Sequence, residues 1–268
     1  MPSSPPAVLV FAASDPVCGA GLQADCLTLA ALGCHPLTVV TALTAQDTKG
    51  IEAVFPIPAD FVRQQTRCLL ADIPIAAIKV GLLGQADHAS IVAETAARLK
   101  VPLILDPILA SGRGDRLADD SLRDALWNTI LPAAELLTPN VPEAYALCPD
   151  MPPATPLPQL AEAMLERGAR HVLITGAHAA TEPVINTLYG REGAIRADAW
   201  PRLPDTYHGS GCTLASAATA FLAHGYPMET AVYKAQLYVS NALRAAYHPG
   251  RGQAIPNRLF AITNSNRS

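Results

Sequence analysis

Towards the C-terminal end, Tyr207-His208-Gly209-Ser210-Gly211-Cys212-Thr213-Leu214 runs directly into Ala215-Ser216-Ala217-Ala218-Thr219-Ala220-Phe221. Two glycines one residue apart let successive backbone N–H groups point at one spot. The Ala-rich run behind them reads as a helix with a positive N-terminal end. Such a turn binds an anion, or stabilises one as it forms. Cys212 falls in the first turn of that helix, a place that favours a thiolate. The competing reading is a Gly-rich turn holding a buried cysteine.

The elements that must position this turn alternate in period along the chain. Strands are expected at Ala7–Ala13, Pro36–Thr44, Ala76–Val80, Val101–Asp106, Glu135–Thr138 and His171–Thr175, with an extended piece at Ile51–Phe55. Helices are expected at Gly19–Leu32, Ala59–Leu70, His88–Leu99, Ser121–Ile130, Gln159–Arg167, Gly211–Ala223 and Met228–Ala246. Val184–Tyr189 and Ala194–Trp200 form a hairpin, because Gly190-Arg191-Glu192-Gly193 between them has turn chemistry. Strand–helix alternation of this kind means βαβ units and a mostly parallel sheet covered on both faces. One α/β domain over residues 1–268, without an internal repeat, is the expectation.

Ligands of open α/β sheets bind at the carboxyl ends of the strands. Those ends carry Ser14-Asp15-Pro16, Thr44-Ala45-Gln46-Asp47, Lys79-Val80-Gly81, Asp106-Pro107, Thr138-Pro139-Asn140-Val141-Pro142-Glu143 and Thr175-Gly176-Ala177-His178. A single polar strand end is ordinary turn chemistry, whereas six in a row describe a site along one rim. Gly19-Ala20-Gly21-Leu22-Gln23-Ala24 fits the G-x-G-x-x-A dinucleotide pattern. Five residues separate the strand from its first glycine, too many for that tight turn. The G-x-x-x-x-G-K-[ST] phosphate loop is absent.

Composition narrows the partners. Half the residues are hydrophobic and 16% are charged, enough to bury a core and too apolar for a disordered chain. A net charge of −4 without a basic cluster argues against a nucleic-acid partner. No stretch reaches the roughly 20 apolar residues that span a bilayer, and Ala7–Ala13 lacks the basic leader of a signal peptide. The six cysteines contain no C-x-x-C pair, which points away from zinc and disulfides and towards a reducing cytoplasm.

Read together, these segments resemble the hydroxymethylpyrimidine/phosphomethylpyrimidine kinases of thiamine biosynthesis, within the ribokinase-like superfamily. The resemblance rests on Ser14-Asp15-Pro16, Gly19–Asp25, Thr41–Gln46, Lys79–Leu83, Leu105–Pro107, Ser111–Asp115, Thr138–Ala144 and His208–Leu214, in that order. It implies a three-layer α/β/α fold and Mg-ATP-dependent phosphorylation of 4-amino-5-hydroxymethyl-2-methylpyrimidine and of its monophosphate. Gln46 would then read the aminopyrimidine edge, with Ala13, Asp15, Ala20, Leu82 and Ile108 also at the substrate. Asp106, Asn140, Glu143, Thr175 and Lys234 would serve ATP and its phosphates, and Glu143 and Asp106 would hold Mg²⁺ directly or through water. Gly209, Ser210 and Gly211 would form the anion hole, with Cys212 as the base where sugar kinases have an aspartate. Members of the family are often homodimers.

The chain departs from the family's pattern at several places. Ala13 replaces a glycine and Val17-Cys18 replaces Ser-Gly, so Ala13 and Val17 are expected to narrow the ring pocket. Thr206-Tyr207 replaces Asn-Thr, and the glycine-rich tail is altered after Gly252. Thr175 replaces a lysine expected near the ATP phosphates, which leaves Lys79, Lys234 or Arg113 to compensate charge. These departures keep two other readings open: a pyridoxine or pyridoxal kinase, and a pyrimidine-binding protein without catalysis.

Overall fold

Alternate residues of the first strand, β1 (Ala7–Ser14), face different helices. Leu9 and Phe11 pack with Val62, Ile91 and Val92 on one side, and Val8, Val10 and Ala12 pack with Leu22, Leu29 and Ala220 on the other. That two-residue period, apolar on both faces, is what a central strand between two helical layers requires. The computed structural model describes residues 4–110, 117–177 and 182–265; Arg113, the rest of Ser111–Asp115, and His178 lie outside the described residues.

The remaining strands are β2 (His35–Gln46), β3 (Ile51–Pro56), β4 (Ala77–Val80), β5 (Leu103–Leu105), β6 (Leu136–Leu137), β7 (Val172–Ile174), β8 (Val184–Gly190) and β9 (Gly193–Trp200). They join in one sheet of order β3-β2-β1-β4-β5-β6-β7-β8-β9. β2, β1, β4, β5, β6 and β7 pair parallel, while β3 at one edge and β8 and β9 at the other pair antiparallel. The helices are α1 (Gly21–Ala31), α2 (Ala59–Leu70), α3 (His88–Leu99), α4 (Asp120–Ala125, running on through a wide turn at Leu126–Ile130), α5 (Val141–Leu147), α6 (Leu157–Glu166), α7 (Ser210–Ala223), α8 (Met228–Arg244) and α9 (Phe260–Ser265). Residues of α2 to α6 pack on one face of the sheet, and those of α1, α7 and α8 on the other. The expected elements are all present. β2 runs two residues further than its apolar pattern, to Gln46, because β3 supplies it with an antiparallel partner there.

α7 has no solvated face over Cys212–Ala220, where every residue is buried. It lies between the sheet, α1 and α8, and its alanines allow that close approach. An Ala-rich helix wedged at the centre is what drives the 209–212 turn up to the strand ends.

His88 opens α3 fully buried, with Nε2 2.8 Å from the Ile57 carbonyl oxygen and Nδ1 without a partner. Burial holds its pKa below the ordinary 6.5, against smaller opposing effects of that carbonyl and Asp87. The unfolded chain therefore takes up a proton near pH 6.5 that the folded protein refuses, so stability falls as the pH drops below that value. In thermal melts from pH 7.5 to 5, His88→Gln is expected to flatten the decline shown by the wild type.

Candidate functional site

One cavity of ≈ 460 Å³ opens along the carboxyl ends of the central strands. At one end Ala13 and Leu82 pack with Ile108 in an apolar wall, and Ala20 faces the same space. Gln46, the last residue of β2, stands beside them and donates one amide hydrogen to Thr44 Oγ1 at 2.7 Å. An apolar wall with one amide beside it suits a ring that both donates and accepts hydrogen bonds. Val17 is not part of the wall, so the narrowing expected from it does not occur; Ala13 does line the cavity.

Asp15 borders the cavity, but its carboxylate is engaged by the protein. Oδ1 accepts the Val17 N–H at 2.8 Å, and Oδ2 accepts those of Gly19 at 3.0 Å and Ala20 at 2.7 Å. His208 Nε2 donates to the same oxygen at 3.0 Å. Burial works against its charge, yet the His208 bond and those N–H groups hold its pKa below the usual carboxylate range. Asp15 thus shapes the loop that precedes α1.

The 209–212 turn lies across from that loop. Gly209 is the N-cap of α7 with φ 83°, and a Cβ there would overlap the Gly19 carbonyl oxygen. Only glycine satisfies both the left-handed backbone and that approach. Thr213 N–H bonds back to Gly209 O at 3.0 Å, so the N–H groups of residues 210–212 precede the first intrahelical bond, as at any helix start. Gly209, Ser210, Gly211 and Cys212 all line the cavity.

Cys212 is buried, and burial pushes its thiol strongly upward; Asp106 and Asp25 push the same way, while the Lys79 ammonium and the Gly21 N–H oppose them. The resting group is a thiol that hydrogen-bonds Asp106. This corrects the expectation that a helix start makes it a thiolate: desolvation outweighs the helix end. Beneath Cys212, Lys79 is completely buried, with Nζ 3.0 Å from both Asp25 oxygens and 3.8 Å from Asp106 Oδ2. Ser216 donates to Asp25 at 2.6 Å.

Asp106 Oδ2 has no hydrogen-bond partner although it is buried, and burial raises its carboxyl pKa, with Lys79 opposing. Asn140 and Glu143 form the capping box of α5: Asn140 Oδ1 accepts the Glu143 N–H and Glu143 Oε2 accepts the Asn140 N–H, each at 2.9 Å. Burial, aided by the Asp106 charge, pushes Glu143 up to about 8. Two buried carboxyl groups border the cavity, and the Asp106 oxygen without a hydrogen-bond partner has the Lys79 ammonium only at 3.8 Å. Mg²⁺ takes one or two carboxylates together with phosphate oxygens, so these residues fit it.

Thr175 follows β7, bridges to Asn140 and faces the cavity. Lys234 does not reach it. The Lys234 ammonium sits 5.2 Å from the ring centre of Tyr226 and 5.7 Å from that of Phe221, since it lies on the side of α8 away from Gln236 and Ser240, which do line the cavity. The phosphate role expected of Lys234 is therefore corrected, and Lys79, enclosed beneath the turn, does not contact the cavity either. Arg202, on the cavity wall, donates to Ala177 O at 2.9 Å. Arg258, buried behind the turn, also escaped sequence reasoning. Neither arginine belongs to a motif; only spacing-independent contacts reveal them.

A family profile described as phosphomethylpyrimidine kinase matches residues 15–257. The hydroxymethylpyrimidine/phosphomethylpyrimidine kinase of Streptomyces coelicolor is 39% identical over 254 residues, 94% of this chain and 93% of that protein. A thiamine biosynthesis bifunctional protein of Geobacter sulfurreducens is 34% identical over 256 residues, 95% of this chain and 52% of that protein. Among solved structures, the pyridoxal kinase of Staphylococcus aureus in complex with AMP-PCP and pyridoxal superposes with a TM-score of 0.86 at 26% identity, covering 95% of this chain and 94% of that one.

Proposed function

The chain belongs to the phosphomethylpyrimidine kinase family, and from that premise we propose that it uses ATP to phosphorylate the hydroxymethyl group of 4-amino-5-hydroxymethyl-2-methylpyrimidine, the resulting monophosphate, or both, in thiamine biosynthesis or salvage. The observation that carries this reading is the content of the cavity at the strand ends. That cavity sets an apolar wall with the Gln46 amide beside an anion-binding turn, Cys212 and the Asp106–Glu143 pair. The fold is the ribokinase-like three-layer α/β/α type of its structural relatives.

Phosphoryl transfer with a loose transition state asks little covalent chemistry of the protein; positioning and charge stabilisation supply most of the acceleration. Ala13, Leu82 and Ile108 hold the ring and exclude water, and Gln46 orients it. The N–H groups of residues 210–212 stabilise negative charge on the transferring group. Mg²⁺, when bound by Asp106 and Glu143, would neutralise phosphate charge. Asn140, Thr175 and Arg202 complete the phosphate side. Cys212 stands where the alcohol proton leaves. Its own proton must first depart, and the Lys79 ammonium is the charge that favours this. All six cysteines are free thiols, which supports placing the enzyme in the reducing cytoplasm.

Incubation with Mg-ATP and either pyrimidine, followed by product analysis, tests the proposal; turnover of neither substrate sinks it. The likeness to a pyridoxal kinase supports a second reading, in which the ring is a pyridine. Gln46 separates the two. Gln46→Leu is expected to raise KM for the aminopyrimidine about 10-fold or more, since a site built to bond a polar edge loses that much with one partner. Pyridoxal phosphorylation, assayed in parallel, should change less.

A further inference from the structure

Arg258 is 3% exposed and without any carboxylate partner among the described residues. Its guanidinium donates only to neutral oxygens: Thr213 Oγ1 at 3.0 Å, Cys18 O at 3.2 Å, Gly209 O at 3.4 Å, and Gly19 O. The nearby Asp25 carboxylate is already engaged by Lys79 and Ser216. A cation withdrawn from water without an anion is costly, and burial accordingly works against its charge. Such an arrangement is stabilised when an anion arrives nearby.

We propose that Arg258 is the positioning residue of the 209–212 turn, orienting its peptides and lending them the positive potential that draws in the transferring phosphoryl group. The inference rests on the kinase reading of the cavity. In a planar trans peptide the C=O and the following N–H point in opposite directions. Arg258 and Thr213 Oγ1, which donates to Gly209 O at 2.7 Å, draw that carbonyl away from the cavity. The Ser210 N–H on the same peptide is thereby directed towards it. The facing loop is held in the same manner. Arg258 takes the carbonyls of Cys18 and Gly19, while Asp15 takes the N–H groups of Gly19 and Ala20 from the other side. One buried cation thus fixes peptide planes on both lips of the site.

The tail of the chain brings Arg258 there. Gln253–Ile255 pairs with the segment before the turn, through Ala254 N–H to Thr206 O at 3.0 Å and His208 N–H to Ala254 O at 2.9 Å. Tyr238 of α8 donates to Arg258 O at 2.6 Å. The tail that departs from the family pattern after Gly252 is therefore part of the catalytic architecture.

Two variants of the full chain separate charge from packing: Arg258→Gln keeps hydrogen-bond donors without charge, and Arg258→Lys keeps charge with fewer donors. The probe is tetrafluoroaluminate, a planar mimic of the transferring phosphoryl group, added to the MgADP complex and followed by calorimetry. Arg258→Gln is expected to bind MgADP within about 3-fold of wild type, lose about 10-fold or more in uptake of the fluoride anion, and lose on the order of 10²-fold in kcat. Arg258→Lys should keep anion uptake within about 3-fold. Wild-type anion uptake by Arg258→Gln overturns the proposal. So does an equal loss of ADP and anion binding in both variants, the mark of a packing strut. If Arg258→Gln does not fold, a 10-fold loss in Arg258→Lys overturns it alone. Because the probe needs no alcohol, a wild-type protein that takes up the anion but phosphorylates neither pyrimidine defeats the assigned function and leaves this inference intact.

Discussion

Cys212→Ala is expected to lower kcat for the pyrimidine alcohol by about 10²–10⁴-fold, the usual contribution of a placed acid–base group, with KM for alcohol and ATP changed only slightly. Cys212 lines the cavity and hydrogen-bonds Asp106, and the proposed function assigns it the reacting oxygen and not the ring or the nucleotide base. Its thiol is pushed upward by burial, and a base must be deprotonated to act. The wild-type kcat should therefore climb steadily with pH through the neutral and alkaline range, and Cys212→Ala should lose that climb. Steady-state kinetics from pH 6.5 to 9.5 on both proteins provide the check. A variant with wild-type kcat, or an unchanged pH profile, removes Cys212 from proton transfer.

Lys79→Met is expected to destabilise the protein by about 3–5 kcal/mol, the penalty for leaving buried charge unpaired. The Lys79 side chain is entirely buried with Asp25, which is equally buried, and Asp106 shares its positive charge at 3.8 Å. Methionine fills similar volume, so loss of charge and not a cavity dominates. Urea unfolding gives the value. The double variant Lys79→Met/Asp25→Asn should be less destabilised than the sum of the two single changes, because the second removes the charge that the first stranded. Additive effects would show that the three groups do not act as a unit.

Much of this architecture was legible because local pattern and tertiary demand agree. β1 reads as continuous apolar sequence because helices cover both its faces. The Gly209–Thr213 turn reads as an anion nest because Gly209 answers a backbone need that the tertiary contact with Gly19 also imposes. The short helix α5 is not legible from apolar periodicity, although Asn140 and Glu143, three apart with Pro142 between them, are its start signal. Seven residues are too few for a periodic apolar face. The seat of Lys234 beside Phe221 and Tyr226 is not legible, because a lysine on a helix near the site carries no mark of which side it faces.

The amino-acid sequence by itself determined the βαβ order, the strand ends that carry polar residues and the glycine-bounded turn, since each depends on neighbours a few positions away. The protonation of Cys212, the burial of Lys79 between two aspartates and the seat of Arg258 were decided only in three dimensions. Desolvation and charge pairing depend on what surrounds a group in space, and those surroundings come from residues as distant as Cys18 and Arg258.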